Sequence, residues 1–148
     1  MEADKQTLRS EMRRLRTALP DRAERSVRIW DRVCALPAVI EASTVLVFDD
    51  IAGEPHTAGF VEWCRAQGKV VAPPEAEVDP TWPDVVIVPG LAFAPSGARI
   101  GQGGGWFDRF LAQTRIDCTS IGVCFRPQLV DTVPTEAHDI AVDVVVTD

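Results

Sequence analysis

Histidine occurs only twice in the 148 residues, as His56 and His138, and the four cysteines, Cys34, Cys64, Cys118 and Cys124, contain no CxxC pair. No ligand set therefore has zinc spacing, and a serine triad would have to use one of two histidines without a nucleophile-elbow sequence. Each cysteine lies in or beside an apolar segment, so four buried thiols in a reducing compartment are expected. No apolar run approaches the length needed to span a bilayer. Met1-Glu2-Ala3-Asp4 opens acidic and leads into a charged helix instead of the apolar stretch of a signal peptide. A cytoplasmic protein without membrane contact is the expectation.

Internal repeats, heptad arrays and low-complexity tails are also missing. Hydrophobic residues make up 46% and charged residues 25%, with a mean hydropathy of +0.03, which describes a soluble globular chain, read as one domain over 1–148. A net charge of −7 and a pI near 4.8 argue against a whole-surface nucleic-acid binder. The balance is uneven, with eight basic and five acidic side chains in residues 1–28. An anion site is expected to recruit that segment.

Leu8, Met12, Leu15 and Leu19 recur at helical spacing until Pro20-Asp21, and Ala23, Val27, Trp30 and Cys34 repeat the pattern until Pro37. Two amphipathic helices are thus predicted before the first strand, Thr44 to Phe48. A helix over about 56–67 and a strand at Lys69 to Ala72 complete a βαβ unit. Residues 73–84, with Pro73, Pro74, Pro80 and Pro83, read as a surface connection. Val85 to Val88, Thr119 to Phe125 and Ala141 to Val146 supply further strands, and an aromatic helix is predicted over about 105–114. The expected fold is α/β, a mostly parallel sheet with helices on both faces in a Rossmann-like three-layer architecture, preceded by an N-terminal helical hairpin.

Half of the ten glycines fall within Gly97-Ala98-Arg99-Ile100-Gly101-Gln102-Gly103-Gly104-Gly105, directly before Trp106-Phe107-Asp108-Arg109. Glycine orders at a high entropic cost, so such a concentration requires a cause. A loop without Cβ atoms can turn its N–H groups toward one centre and make a phosphate nest. Neither a Walker A ending nor the third glycine of the dinucleotide fingerprint is present. Asp108 either ligates Mg²⁺ on phosphate oxygens or complements the helix dipole. Trp106 is either a core ring or the wall of a flat-ligand pocket. Lys5, Arg9 and Arg13 lie one turn apart, on a face distinct from the Leu8 stripe, where they can converge on a polyanion or remain a solvated basic face.

Two segments, Asp84 to Phe93 and Arg99 to Leu111, together with Ile121-Gly122-Val123, Gln128-Leu129-Val130, Pro134 and His138 to Thr147, resemble the 5-formyltetrahydrofolate cyclo-ligases, also called methenyltetrahydrofolate synthetases. Lys5, Leu8, Arg9 and Arg16 fit that family's N-terminal pattern. The resemblance implies an ATP- and Mg²⁺-dependent ligase of one-carbon metabolism that closes 5-formyltetrahydrofolate to 5,10-methenyltetrahydrofolate through a phosphorylated formyl group. It implies nucleotide contacts from Lys5, Arg9, Gly101, Gln102, Gly103, Gly104, Gly105 and Trp106, with magnesium at Asp108. Arg99, Asp108 and Arg109 are the candidate catalytic residues, Arg109 being equally open to a fold-supporting ion pair. Glu54 matches the family's acidic folate contact, and His56 and Trp106 join it as candidate acceptor contacts.

Three departures mark the chain as a shortened, divergent relative. Trp106-Phe107 stands where the family carries tyrosine, a residue this chain lacks entirely. The loop after the first strand reads Glu54-Pro55-His56-Thr57, and the long substrate-contacting insert is reduced to the proline-rich 73–84 connection. The acceptor is therefore read as a reduced folate or another small molecule, for example in thiamine metabolism. A nucleotide-binding paralogue without turnover and a homodimer that completes the pocket also stay open. His138-Asp139 either ties the entrance of the last strand together or faces the site.

Overall fold

The computed structural model describes residues 2–51, 53–75 and 77–148. Met1 of the opening tetrapeptide, Ala52 of the loop before Gly53 and Ala76 of the proline-rich connection lie outside the described residues. The elements run α1 (Glu2–Ala18), α2 (Arg22–Cys34), α3 (Pro37–Glu41), β1 (Thr44–Val47), α4 (Ala58–Ala66), β2 (Val70–Ala72), β3 (Val85–Val88), β4 (Ala92–Phe93), β5 (Arg99–Ile100), α5 (Trp106–Leu111), β6 (Thr119–Val123) and β7 (Val144–Val146).

Five strands form one sheet in the order β2-β1-β3-β6-β7, every pairing parallel. β-Branched runs build it because a parallel strand covered on both faces must be apolar at consecutive positions. Val45, Val47, Val85, Ile87, Ile121 and Val123 face α2, α3 and α4 through Ile29, Trp30, Val33, Val39, Phe60 and Cys64. The alternate residues Leu46, Val86 and Val88 pack with Phe93 and with Phe110 and Leu111 of α5. The three-layer expectation holds, and the alternation of side chains along each strand produces it.

The two N-terminal helices follow one another through the Pro20-Asp21 turn but serve different cores. Met12 of α1 packs with Leu91, Ala92, Ala94, Ile100 and Val133 around the antiparallel β4–β5 ribbon, whereas α2 covers the sheet. The predicted α1 stripe packs inward, with Met12 buried and Leu8, Leu15 and Leu19 partly covered, but cations share that side of the helix, and the α2 face departs from its predicted stripe. α1 buries Lys5, Arg9, Met12 and Arg16, and α2 buries Ser26, Ile29, Trp30 and Val33, leaving Val27 exposed. Ser26 takes its buried place because its Oγ accepts the His56 amide at 3.1 Å, a partner that hydrophobic counting ignores. Cys64, Cys118 and Cys124 are buried thiols, but Cys34 is only partly covered, because α2 ends beside it. No helix among the described residues is long and apolar enough to cross a membrane.

Pro37, predicted as the stop of α2, also starts α3 at a position where its missing N–H costs nothing. The β4–β5 ribbon went unpredicted because two-residue strands show no alternation. It nevertheless sets the height of the glycine loop over the sheet, with Phe93 lying against Gly122 so closely that a Cβ there would overlap the ring. Gly122→Ala is therefore expected to destabilise the protein by about 1–3 kcal/mol, the ordinary cost of overpacking, in a urea or thermal melt. Phe93→Leu in the same chain should recover part of the loss, and equal losses in the single and double variants would contradict the contact.

Candidate active site at the carboxyl ends of the strands

In an open parallel sheet of this strand order, the chain crosses to opposite faces after β1 and β3, and a crevice opens at their carboxyl ends. A cavity of about 390 Å³ lies there. Glu54 enters it from the loop after β1, Pro89 and Gly90 from the end of β3, and Gly101 to Asp108 from the glycine loop and the start of α5. Lys5 and Arg9 of α1 form another wall, and Glu136, His138 and Asp139 complete it.

Gly103 and Gly105 hold left-handed backbone, with φ of 112° and 73°, a conformation that a side chain disfavours. Side chains draw the loop's oxygens outward. Arg9 Nε donates to the Gly101 carbonyl at 3.0 Å, Arg109 Nη1 to the Gly104 carbonyl at 3.0 Å, and Arg13 Nη2 to Gln102 Oε1 at 3.1 Å. Among the described residues, no hydrogen bond uses the amide N–H of Gln102 to Asp108 as donor. The α5 helix has only six residues, shorter than predicted, so its dipole is small and the loop's own amides dominate.

Arg99 is buried beneath this loop. Its Nη1 donates to the Pro89 carbonyl at 3.1 Å, its Nη2 stands 3.8 Å from Asp108 Oδ1, and its guanidinium lies 5.7 Å from the centre of the Phe107 ring. Burial pulls its pKa down against the opposing pull of Asp108 and Asp139. Asp108 accepts the Ile140 amide at 2.9 Å, which ties α5 to the segment entering β7.

Lys5 Nζ donates to Asp139 Oδ2 at 2.7 Å and lies 3.6 Å from Glu136 Oε1. Burial would lower the Lys5 pKa, but the two carboxylates raise it above its ordinary value. Burial would likewise raise Asp139, yet the Lys5 ammonium and the Glu136 amide hold its carboxyl below the usual range. His138 Nε2 lies 3.3 Å from Asp139 Oδ1, so the His138-Asp139 pair faces the cavity.

The opposite end of the cavity is sparser. Glu54 is only 6% exposed and accepts the Ile51 amide at 2.9 Å. Burial pushes its pKa up, opposed by that amide and by Arg16. Trp106 lines the cavity while its ring stacks on Phe110 at 4.8 Å, so it is both core and wall. Two expected contacts lie elsewhere. His56 is solvent-exposed outside the cavity, 3.6 Å from Asp50, because Trp30 Nε1 and Ser26 Oγ anchor its backbone to α2. Arg109 lies behind the glycine loop, beside a second recess of about 280 Å³ that Trp106 shares. Sequence reasoning missed Glu136 as a site residue, since only the strand order brings residues 136–139 beside α1.

Residues 79–148 match the model of the 5-formyltetrahydrofolate cyclo-ligase family. The 5-formyltetrahydrofolate cyclo-ligase of Mycolicibacterium smegmatis is 42% identical over 64 residues, 43% of this chain and 33% of that protein. That of Saccharomyces cerevisiae is 38% identical over 69 residues, again 43% and 33%. The chain thus spans about a third of the length of these curated relatives. The fold is matched much further. A 5,10-methenyltetrahydrofolate synthetase from Mycoplasma pneumoniae superposes with a TM-score of 0.87 at 21% identity over 98% of this chain and 99% of that one. One from Aquifex aeolicus gives 0.85 at 25% identity over 97% and 89%.

The Lys5–Asp139 pair stabilises the fold between two limits. Asp139, with its lowered pKa, loses its contribution as the pH falls through the folded carboxyl's pKa, and Lys5, with its raised pKa, loses its own as the pH rises through the folded ammonium's. In Lys5→Ala the burial of Asp139 is unopposed by an ammonium, so its carboxyl should titrate higher than in the wild type. A ¹³C carboxyl titration by NMR checks this, and an unmoved Asp139 would refute the pairing.

Proposed function

We propose that the chain, whose residues 79–148 match the model of the 5-formyltetrahydrofolate cyclo-ligase family, is a member of it and converts 5-formyltetrahydrofolate to 5,10-methenyltetrahydrofolate with ATP and Mg²⁺, acting as a single unit over residues 1–148. The supporting observation is that a single cavity joins the unshared amides of the glycine loop to the buried carboxyl of Glu54. Phosphates and acceptor can therefore meet within it.

A formyl oxygen is a poor leaving group. In the proposed reaction it takes the γ-phosphoryl group, forming an O–P bond as the bond to ADP breaks. The nitrogen at position 10 then attacks the activated carbon and loses its proton, and the C–O bond breaks as phosphate departs with the oxygen. The protein's part is alignment and charge compensation. Lys5, Arg9, Gln102, Trp106 and the glycines from Gly101 to Gly105 hold the nucleotide, Arg99 faces the transferred group, and Glu54 hydrogen-bonds the acceptor's ring nitrogens. Arg109 is assigned to shaping the loop instead of touching the reacting atoms.

The residues present fit a magnesium ion carried by the phosphates. Such ions take one or two carboxylates and leave the remaining positions to phosphate and water. Among the described residues no group of three or more metal-ligating side chains exists, so a protein-built cage is not the fit. Asp108 supplies one carboxylate, and the cavity lining carries five carboxylates against three cations, which favours a polyphosphate whose charge is partly neutralised. When bound, the ion offsets charge on the phosphate oxygens.

A second reading, a different small acceptor, draws on the short 73–84 connection and on His56 lying outside the cavity. ATP hydrolysis strictly dependent on 5-formyltetrahydrofolate, with the methenyl chromophore appearing, supports the first reading. ATP binding without folate affinity supports the second, or a protein that binds nucleotide without turnover.

Asp108→Asn is expected to lower kcat roughly 100-fold, the scale of losing a charge-stabilising group. Its melting temperature should fall only slightly, and full turnover at saturating Mg-ATP would remove the metal role. Lys5→Ala and Arg9→Ala should each weaken ATP binding by about tenfold in calorimetry, as expected for one charge-assisted contact. Unchanged affinity in both would take α1 out of the nucleotide site.

A further inference from the structure

Lys5, Arg9 and Arg16 occur at steps of four and seven and lie on one buried side of α1. The first two line the phosphate end of the cavity, and the third lies outside its lining, against the turn that brings Glu54 to the other end. Arg16 is buried to 7% exposure, and its side chain lies across the backbone of Gly53. A Cβ at position 53 would sit 2.5 Å from Arg16 Nε and 3.1 Å from its Cδ. Gly53 also has a φ of 93°, and the next residue is Glu54, whose carboxyl enters the cavity. The loop therefore turns over the guanidinium before presenting its acid.

We infer that Arg16 is a positioning residue that anchors the Gly53-Glu54 turn to α1 and so sets the place of Glu54 toward the acceptor. Glu54 is acted on by Arg16 and Asp50 and by the Ile51 amide, and Arg16 by Glu54, Arg13 and Arg22. Arg22 also donates to the Arg16 backbone carbonyl, which fixes the end of α1. The opposite end of the turn is held independently, by Asp50 accepting the Thr57 amide at 3.1 Å and its hydroxyl at 2.7 Å. Arg16 alone among the helix's buried cations is thereby directed at the acceptor instead of the nucleotide.

The inference rests on reading Glu54 as an acceptor contact, so one arm of its test avoids turnover. In the full chain, Arg16→Gln should raise the KM for 5-formyltetrahydrofolate about tenfold while the Kd for ATP stays within about twofold. Arg16→Lys, which keeps the charge, should lie between. Gly53→Ala, which keeps Arg16 but occupies its place, should raise the same KM and remains informative if Arg16→Gln does not fold. The second arm is a ¹³C titration of Glu54, which should move upward in Arg16→Gln, since burial then acts with less opposition. ATP affinity changing in step with the acceptor KM, or a Glu54 titration identical in both chains, overturns the inference. If the wild type shows no turnover of 5-formyltetrahydrofolate, the functional reading fails and the titration alone decides the anchor.

Discussion

The ion pair between Lys5 and Asp139 joins residues 134 positions apart, and the rest of the site depends on it. α1 docks through a mixed face, since Met12 is its only fully buried hydrophobic residue, Leu8 and Leu15 pack beside it partly covered, and the other buried residues are Lys5, Arg9 and Arg16. A helix buried through cations is held only if every cation is compensated, because an unpaired buried charge costs several kcal/mol. Asp139 compensates Lys5, while the Gly101 carbonyl and Glu2 compensate Arg9. The same contacts that attach the helix thus close the cavity and shape its glycine loop.

This arrangement accounts for where the sheet places its charged side chains and, on the proposed reading, for a phosphate loop without a nucleotide motif of the usual kinds. A Walker-type loop uses its own lysine and a long following helix. Here α5 is under two turns long, and the positive charge comes from a helix at the other end of the chain and from Arg99 beneath the loop. Rigid strands bring these pieces together, β3 ending at Pro89-Gly90 and β5 carrying Arg99. Asp108, bonded to the Ile140 amide, fastens the loop's far side to the segment that enters β7.

The strands were legible because a buried parallel sheet leaves a plain record, and Val85-Val86-Ile87-Val88 can hardly be anything else. The glycine loop was legible because its composition is expensive without a purpose. The helix faces were less so. The α2 stripe was drawn through Val27, but Ser26 is the buried residue, and its reason is a hydrogen bond to a loop 30 residues away. His56 was credited as a contact on its chemistry, whereas Trp30 and Ser26 grip its backbone and leave the ring in solvent. Glu136 was invisible for another reason. No spacing relates it to Lys5, and only the adjacency of β6 and β7 carries it there.

The charges lining the cavity make polyanion binding an exchange instead of a simple attraction. Each cation already has an acidic or carbonyl partner, Lys5 at 2.7 Å, Arg9 at 2.9 Å and Arg99 at 3.1 Å. A phosphate that recruits Lys5 must share it with Asp139 or displace it, leaving a carboxylate that burial already disfavours. A single phosphate offers little to offset that loss. A polyphosphate reaching from the loop amides to Lys5 and Arg9, with a divalent ion against the spare carboxylate charge, compensates all of these groups at once. On the proposed reading, a larger, metal-complexed ligand is favoured because only it offsets the cost of breaking the pairs that these side chains make with one another.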